Sequence, residues 1–175
     1  MVRQYGMIAS LDVQYTDTTA FAAAVVFDDW QAASARSTYI ASECSPEPYE
    51  PGCFYLRELV PLLTVIDKII EPVETFVIDG YCHLSDSLDP GLGAHLLERL
   101  GKSKTVIGVA KNRFRDTTHA VELLRGKSQR PLFITSIGID YEDAAKHISS
   151  MNGAFRVPAL LKMVDQLARQ FAAQG

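Results

Sequence analysis

An α/β domain with a mixed central sheet, opening on an antiparallel three-strand meander and carrying helices on both faces, is the fold class this sequence predicts. Three observations carry it. Three strand-like runs precede the first stretch of helical spacing, strand and helix patterns alternate thereafter, and runs such as Thr75–Gly80 and Thr105–Ala110 are apolar throughout. Continuous apolar runs of that length suit strands buried on both faces.

Met7–Tyr15 reads as the first strand, with Ile8, Leu11 and Val13 apolar and Asp12 set among them. Thr16–Thr18 is a turn, and Ala20–Phe27 is a second apolar run suited to pairing back as a hairpin. Arg36–Glu43 alternates loosely and gives a third strand. Cys44–Gly52 holds three prolines, two glutamates and Tyr49, so it is a loop, stiffened where Pro48 and Pro51 flank Tyr49 and Glu50. Phe54–Ile70 carries Leu56, Leu59, Leu62, Leu63, Ile66 and Ile69 at helical spacing, with Pro61 kinking it or opening a new first turn. Glu58 lies early in this helix and off the stripe of Leu59, Leu62, Leu63 and Ile66, so plain solvent exposure is the alternative to a functional role. Thr75–Gly80 is the next strand and stops at a carboxylate, Asp79, followed by glycine. Such a strand end is where loops gather in α/β sheets, although Asp-Gly is also an ordinary turn signal.

A polar loop runs to Pro90 and leads into a helix over Gly91–Leu100. The strand Thr105–Ala110 then runs into Lys111, strands follow over 119–125 and 131–137, and Asp140–Ser149 is a helix with acidic residues in its first turn. An amphipathic helix over Pro158–Ala172 carries Leu160, Leu161, Val164, Leu167, Ala168 and Phe171. No internal repeat or low-complexity segment interrupts this order.

Composition bounds what such a chain does. At 175 residues with 47% hydrophobic and 22% charged content it is long enough for one packed domain spanning 1–175. No apolar run reaches membrane-spanning length, and Asp12 breaks the first one early, so the expectation is a soluble protein of the cytoplasm. The cysteines, Cys44, Cys53 and Cys82, are odd in number and lack a CxxC pair, which points to free thiols. The net charge of −4 hides an uneven distribution: residues 1–98 hold four Lys/Arg against fifteen Asp/Glu, and residues 99–130 hold nine against two. A local basic surface attracts phosphate even on an acidic protein, because screening keeps the attraction short-ranged; a merely solvated face is the alternative.

The element order matches the ribonuclease H-like architecture, in which the first strand and the strand after the first helix lie side by side. Asp12 and Asp79 would then meet. Two adjacent buried carboxylates cannot both ionise cheaply, so either one keeps a proton or a divalent cation lies between them. Oxygen ligands suit Mg²⁺, with Mn²⁺ also possible, and Glu58 is a third carboxylate within reach of the same ion. This chemistry favours hydrolysis of a phosphodiester.

Four stretches in register carry a family resemblance. Pro48–Glu58, read PYEPGCFYLRE, is similar to the PYxPGxLxxRE motif of endonuclease V; Phe76–Gly80 resembles its VDG strand, Ile107–Lys111 its IGVAK, and Ile8–Tyr15 its AGxDxxY. The resemblance implies a metal-dependent nuclease of ribonuclease H-like fold that cuts DNA or RNA to the 3′ side of a deaminated, inosine-type base. It implies Asp12 and Asp79 as metal ligands, Glu58 as the third acidic residue and Lys111 as the phosphate contact. Tyr49, held between Pro48 and Gly52, would be the wedge that fills the gap left by a flipped base, and Gly80 would let the backbone approach that base. His83, in the loop near Asp79, is a further candidate for substrate contact.

Departures from the pattern bear on the base. Cys82 replaces a glycine, Leu84–Asp89 is acidic where the family is basic, and Ser136–Asp140 lacks an expected Gly-His, leaving Asp140 as a stand-in or as a simple helix cap. The family's RxPEPxRxAD appears as Arg156–Asp165 without its glutamate. The rival reading is a nucleic-acid-binding protein of the same fold whose degraded pocket no longer cuts. His95 matches a family histidine, but a lone helix histidine is more often structural. The sequence leaves the oligomeric state open.

Overall fold

The computed structural model describes residues 6–44 and 54–175. Among them seven strands form one mixed sheet in the order β3-β2-β1-β4-β5-β7-β6. The strands are β1 (Met7–Tyr15), β2 (Thr19–Phe27), β3 (Ser37–Cys44), β4 (Val73–Ile78), β5 (Thr105–Ala110), β6 (Val121–Leu123) and β7 (Leu132–Ile137). β1, β2 and β3 form the antiparallel meander, β1, β4 and β5 run parallel, and β7 returns antiparallel to β5. This is the ribonuclease H-like arrangement expected from the element order.

Two helix layers bury the two faces. On one side α1 (Phe54–Asp67) and α2 (Leu92–Leu100) cover a cluster holding Leu11, Val26, Leu62, Phe76, Ile78 and Leu96. On the other, α3 (Tyr141–Ser150) and α4 (Ala159–Gln174) cover Ile8, Val25, Val77, Ile107, Ile134 and Ile148. Alternate residues of each strand therefore enter different cores, which is why these strands read as apolar throughout. In β2 the buried positions include Ala20, Ala22, Ala23 and Ala24. Small side chains there let a helix approach from either side.

Several expected boundaries move. The strand expected over 119–125 shrinks to Val121–Leu123, because residues beyond this short edge pairing are taken up by loop contacts such as Arg125 with the 151–156 segment. α1 stops at Asp67, and Ile70 is 88% exposed on the connection to β4. Pro61 lies inside α1 and neither ends nor restarts it. The thiols of Cys44 and Cys82 are free. No helix among the described residues is long and apolar enough to cross a membrane.

Candidate active site

The parallel pairing of β1 with β4 places two carboxylates side by side. Ser10 pairs with Val77, so Asp12 and Asp79, each two residues further on, reach the same level on the same face. That face looks toward α4, as the hydrogen bond from Ser10 Oγ to the Leu160 carbonyl records. Lys111, which follows the last residue of β5, keeps the alternation of Ile107 and Val109 and faces the same way. Asp12, Asp79 and Lys111 line a narrow cleft, closed on the α4 side by Val157, Leu161, Val164 and Asp165. A second recess on the α1 side is shared by Asp12, Asp79, Glu58 and Leu92. The carboxylates thus stand at the boundary between two recesses, at the end of the sheet where β1, β4 and β5 finish.

Asp12 is only 9% exposed, whereas the side chains of Asp79 and Lys111 are 43% and 37% exposed. Burial pushes the Asp12 carboxyl up to about 7, and its hydrogen bond to Asp165 and the Asp79 charge push in the same direction, against the Gln14 amide. For Asp165, burial acts upward, but the hydrogen bonds from Asp12 and Arg169 and the Lys111 charge outweigh it and hold the group below its ordinary value. The two carboxyls share their interaction unequally, Asp12 pushed up and Asp165 held down. Gln14 Nε2 lies 3.2 Å from Asp12 Oδ2 and 3.3 Å from Asp165 Oδ1, bridging them. Glu58 is pushed up to about 7 by burial, then by the Asp79 and Asp12 charges, with Arg57 opposing.

Lys111 Nζ stands 3.2 Å from Asp79 Oδ2. Half-exposed pairs of this kind contribute little stability. Beside them the Arg57 guanidinium lies 4.4 Å over the Tyr15 ring, Tyr15 donates to the Arg57 carbonyl at 3.2 Å, and Arg57 Nε is buried without a partner among the described residues.

The chemistry of this donor set, hard carboxylate oxygens from Asp12, Asp79, Asp165 and Glu58 spread over two adjoining recesses, suits a divalent cation, and burial raises two of the four, Asp12 and Glu58. As the side chains stand, no three His, Cys, Asp or Glu among the described residues meet at ligating distance. Sharing an ion requires Gln14 and Lys111 to yield their contacts with Asp12, Asp165 and Asp79.

Asp165 ends the Arg156–Asp165 stretch of the family resemblance, yet it was given no role in the site from sequence. It lies four residues after Leu161 and three before Ala168, on the inner face of α4, and an acid at helical spacing among core residues was the available signal. Asp140 does not take this place. β7 runs antiparallel to β5, with Ile137 opposite Val106 and Phe133 opposite Ala110, so the residues after Ile137 leave the sheet at the end away from Asp79 and Lys111. Asp140 stands at the N-terminus of α3 and makes no side-chain capping bond.

The other sequence candidates scatter. Pro48, Tyr49 and Gly52 lie outside the described residues. Gly80 has φ +149°, and its carbonyl passes 2.5 Å from where Gly108 would carry a Cβ, so the loop after β4 crosses β5 only because residue 108 is glycine. His83 does not line either recess: its Nδ1 lies 2.5 Å from the Tyr141 hydroxyl, and its carbonyl accepts from His119 Nε2 at 2.7 Å. Cys82 points away from the cleft into the core under α2, its Sγ 3.5 Å from the Val106 carbonyl, so this departure from the family glycine is absorbed inside the protein. His95 stacks on Tyr55 at 3.7 Å, a packing role.

Comparison with known proteins places the fold in a family. The family model for endonuclease V matches residues 2–138. An endonuclease V of Pyrococcus abyssi is 30% identical over 171 residues, covering 96% of this chain and 81% of that protein. The crystal structure of endonuclease V from Streptomyces avermitilis aligns with a TM-score of 0.79 at 27% identity, over 98% of this chain and 83% of that one. Endonuclease V of Ciona intestinalis, bound to a 24mer DNA containing an inosine followed by a ribo-adenosine, shares the fold with a TM-score of 0.81 at 18% identity, over 99% of this chain and 88% of that one. With the fold shared and the family model matched over most of its length, the chain belongs to the endonuclease V family of nucleases.

Proposed function

We propose that this protein is an active, Mg²⁺-dependent endonuclease, with Mn²⁺ an alternative ion, that hydrolyses a phosphodiester on the 3′ side of a deaminated, inosine-type base in DNA or RNA. The observation that carries the reading is that Asp12 and Asp79 stand between two adjoining recesses, with Asp165 and Lys111 lining the one and Glu58 the other. Crowding carboxylates in this way is costly to folding, and a bound cation would offset that cost. The relative crystallised on inosine-containing DNA supports the choice of base.

Asp12 and Asp79 would hold the ion, with Asp165 supporting it from α4 and Glu58 from α1. A bound divalent cation would supply Lewis acidity to the phosphate and lower the pKa of water. Glu58, poised near neutrality, accepts a proton from the attacking water as its oxygen bonds to phosphorus. The P–O3′ bond breaks and the departing oxygen takes a proton from solvent. Lys111 leaves Asp79 to offset charge on the phosphate oxygens. Tyr49 is the proposed wedge, with Pro48, Gly52 and Gly80 the further proposed contacts of the displaced base.

The test is cleavage of inosine-containing and ordinary oligonucleotides of DNA and RNA with Mg²⁺ or EDTA, beside Asp79→Ala. Expected is metal-dependent cutting at the inosine strand that falls by at least about a hundredfold in the variant. Tight binding with no cutting under any metal would instead establish a binding protein of the same fold.

A further inference from the structure

Two residues before Val157, which lines the cleft, the chain carries an aromatic side chain that the core does not use. Phe155 is 73% exposed, in the connection between α3 and α4. A single exposed apolar residue is ordinary on a protein surface. The backbone that carries this one is braced by a buried side chain. Arg125, itself 7% exposed, donates from Nη1 to the Phe155 carbonyl at 2.6 Å and from Nη2 to the carbonyls of Met151 at 2.7 Å and Gly153 at 3.2 Å. The amide of Ala159 closes the same segment onto the Asn152 carbonyl at 2.9 Å. A buried guanidinium with its donors spent on one surface loop fixes that loop's backbone in a single conformation.

The braced segment is joined to the reaction centre. Arg156 donates from Nη2 to the carbonyls of Lys111 at 2.5 Å and Pro131 at 2.8 Å, and Val157 lines the cleft beside Asp12 and Asp79. On the other side Lys162 Nζ lies 5.9 Å from the Phe155 ring centroid. An exposed ring with a cation at its face, fixed next to a phosphodiester-cutting centre, has the two features that hold an unpaired nucleotide: a surface for the base and a charge for its phosphate. Arg130 and Arg156 add positive charge nearby, which favours a polyanion over a protein partner.

We propose that Phe155 is a stacking platform for one unpaired base of the bound strand, a nucleotide outside the pocket for the deaminated base, with Lys162 contacting the adjoining phosphate. The proposal rests on the nuclease reading given above, which supplies the strand. Stacking tolerates any base, so the platform sets the path of the strand and not the sequence that is cut.

The test is binding of fluorescent single-stranded inosine oligonucleotides with Ca²⁺ in place of Mg²⁺, comparing the wild type with Phe155→Ala and Phe155→Trp. A series of strands, each with one abasic residue at a different position, locates the contact. Phe155→Ala weakens binding by roughly tenfold and Phe155→Trp restores it. At one abasic position the wild type loses the same factor and Phe155→Ala loses nothing more. A Phe155→Ala variant that binds every strand as the wild type does, or whose loss is the same at all abasic positions, overturns the platform while wild-type cutting leaves the nuclease reading standing. A wild-type protein that binds none of the strands overturns both.

Discussion

Asp12 is the residue on which the site turns, and its protonation links chemistry to folding. Its carboxyl is raised from an ordinary 3.8 to about 7 in the metal-free fold, first by burial. A carboxyl raised on folding stabilises the protein fully below its unfolded pKa, and that contribution is lost as pH rises through the folded one. Glu58 acts in the same direction. Asp165, lowered, acts oppositely, but its window lies below about pH 4. In EDTA the protein is therefore expected to lose stability between pH 5 and pH 8, by on the order of 3 kcal/mol from Asp12. Mg²⁺ should recover the loss above pH 7. The measurement is the melting temperature across that range with and without Mg²⁺, set against Asp12→Asn so that histidine contributions cancel; equal pH profiles for the two proteins would sink the assignment. Asp12 and Asp79 were legible in the sequence because each ends or interrupts an apolar strand, where a charge needs a reason. Asp165, though it ends the Arg156–Asp165 stretch, was given no role because one acid in a sixteen-residue amphipathic helix reads as its polar side unless its spacing from Leu161 and Ala168 is counted.

At the scale of elements, the strands were readable because burial on both faces leaves an unbroken apolar run, whereas the loops hide their determinants. Arg125 illustrates the difficulty. In sequence it belongs to a basic block suited to phosphate, yet in the fold it is buried and bonded to backbone carbonyls of the 151–156 segment. No local pattern announces an arginine whose partners lie about thirty residues ahead. The same geometry predicts unequal costs for two arginines of that block. Arg125→Met removes the donors from the buried Met151 carbonyl and the part-buried carbonyls of Gly153 and Phe155 and should lower the unfolding free energy by on the order of 3 kcal/mol. Arg113, half-exposed and paired with Glu122, should cost under about 1 kcal/mol when changed to Met. Urea denaturation of both variants checks the difference, with hydrogen exchange expected to quicken across 151–157 in Arg125→Met alone. Equal costs would mean that the loop is held by other contacts.

Across the whole molecule, the charge division seen in sequence resolves into several separate fates. Of the nine cations in residues 99–130, Arg125 is buried, Lys104 pairs with Glu74, Arg113 with Glu122 and Lys111 with Asp79. Lys102 and Lys104 precede β5, at the end of the sheet away from the carboxylates. What remains near the cleft is a short arc of Lys111, Arg130, Arg156 and Lys162, the last two from outside the block. A strand bound there meets about four phosphate contacts, and each contact to a single strand contributes about −0.7 to the slope of log affinity against log salt. A slope near −3 is expected for the wild type. Lys162→Ala should make it shallower by about 0.7, while Lys102→Ala, remote from the arc, should leave both slope and affinity unchanged. Titration of an inosine strand with Ca²⁺ at several salt concentrations decides between this arc and a diffuse basic surface, for which Lys102→Ala and Lys162→Ala would have equal effects.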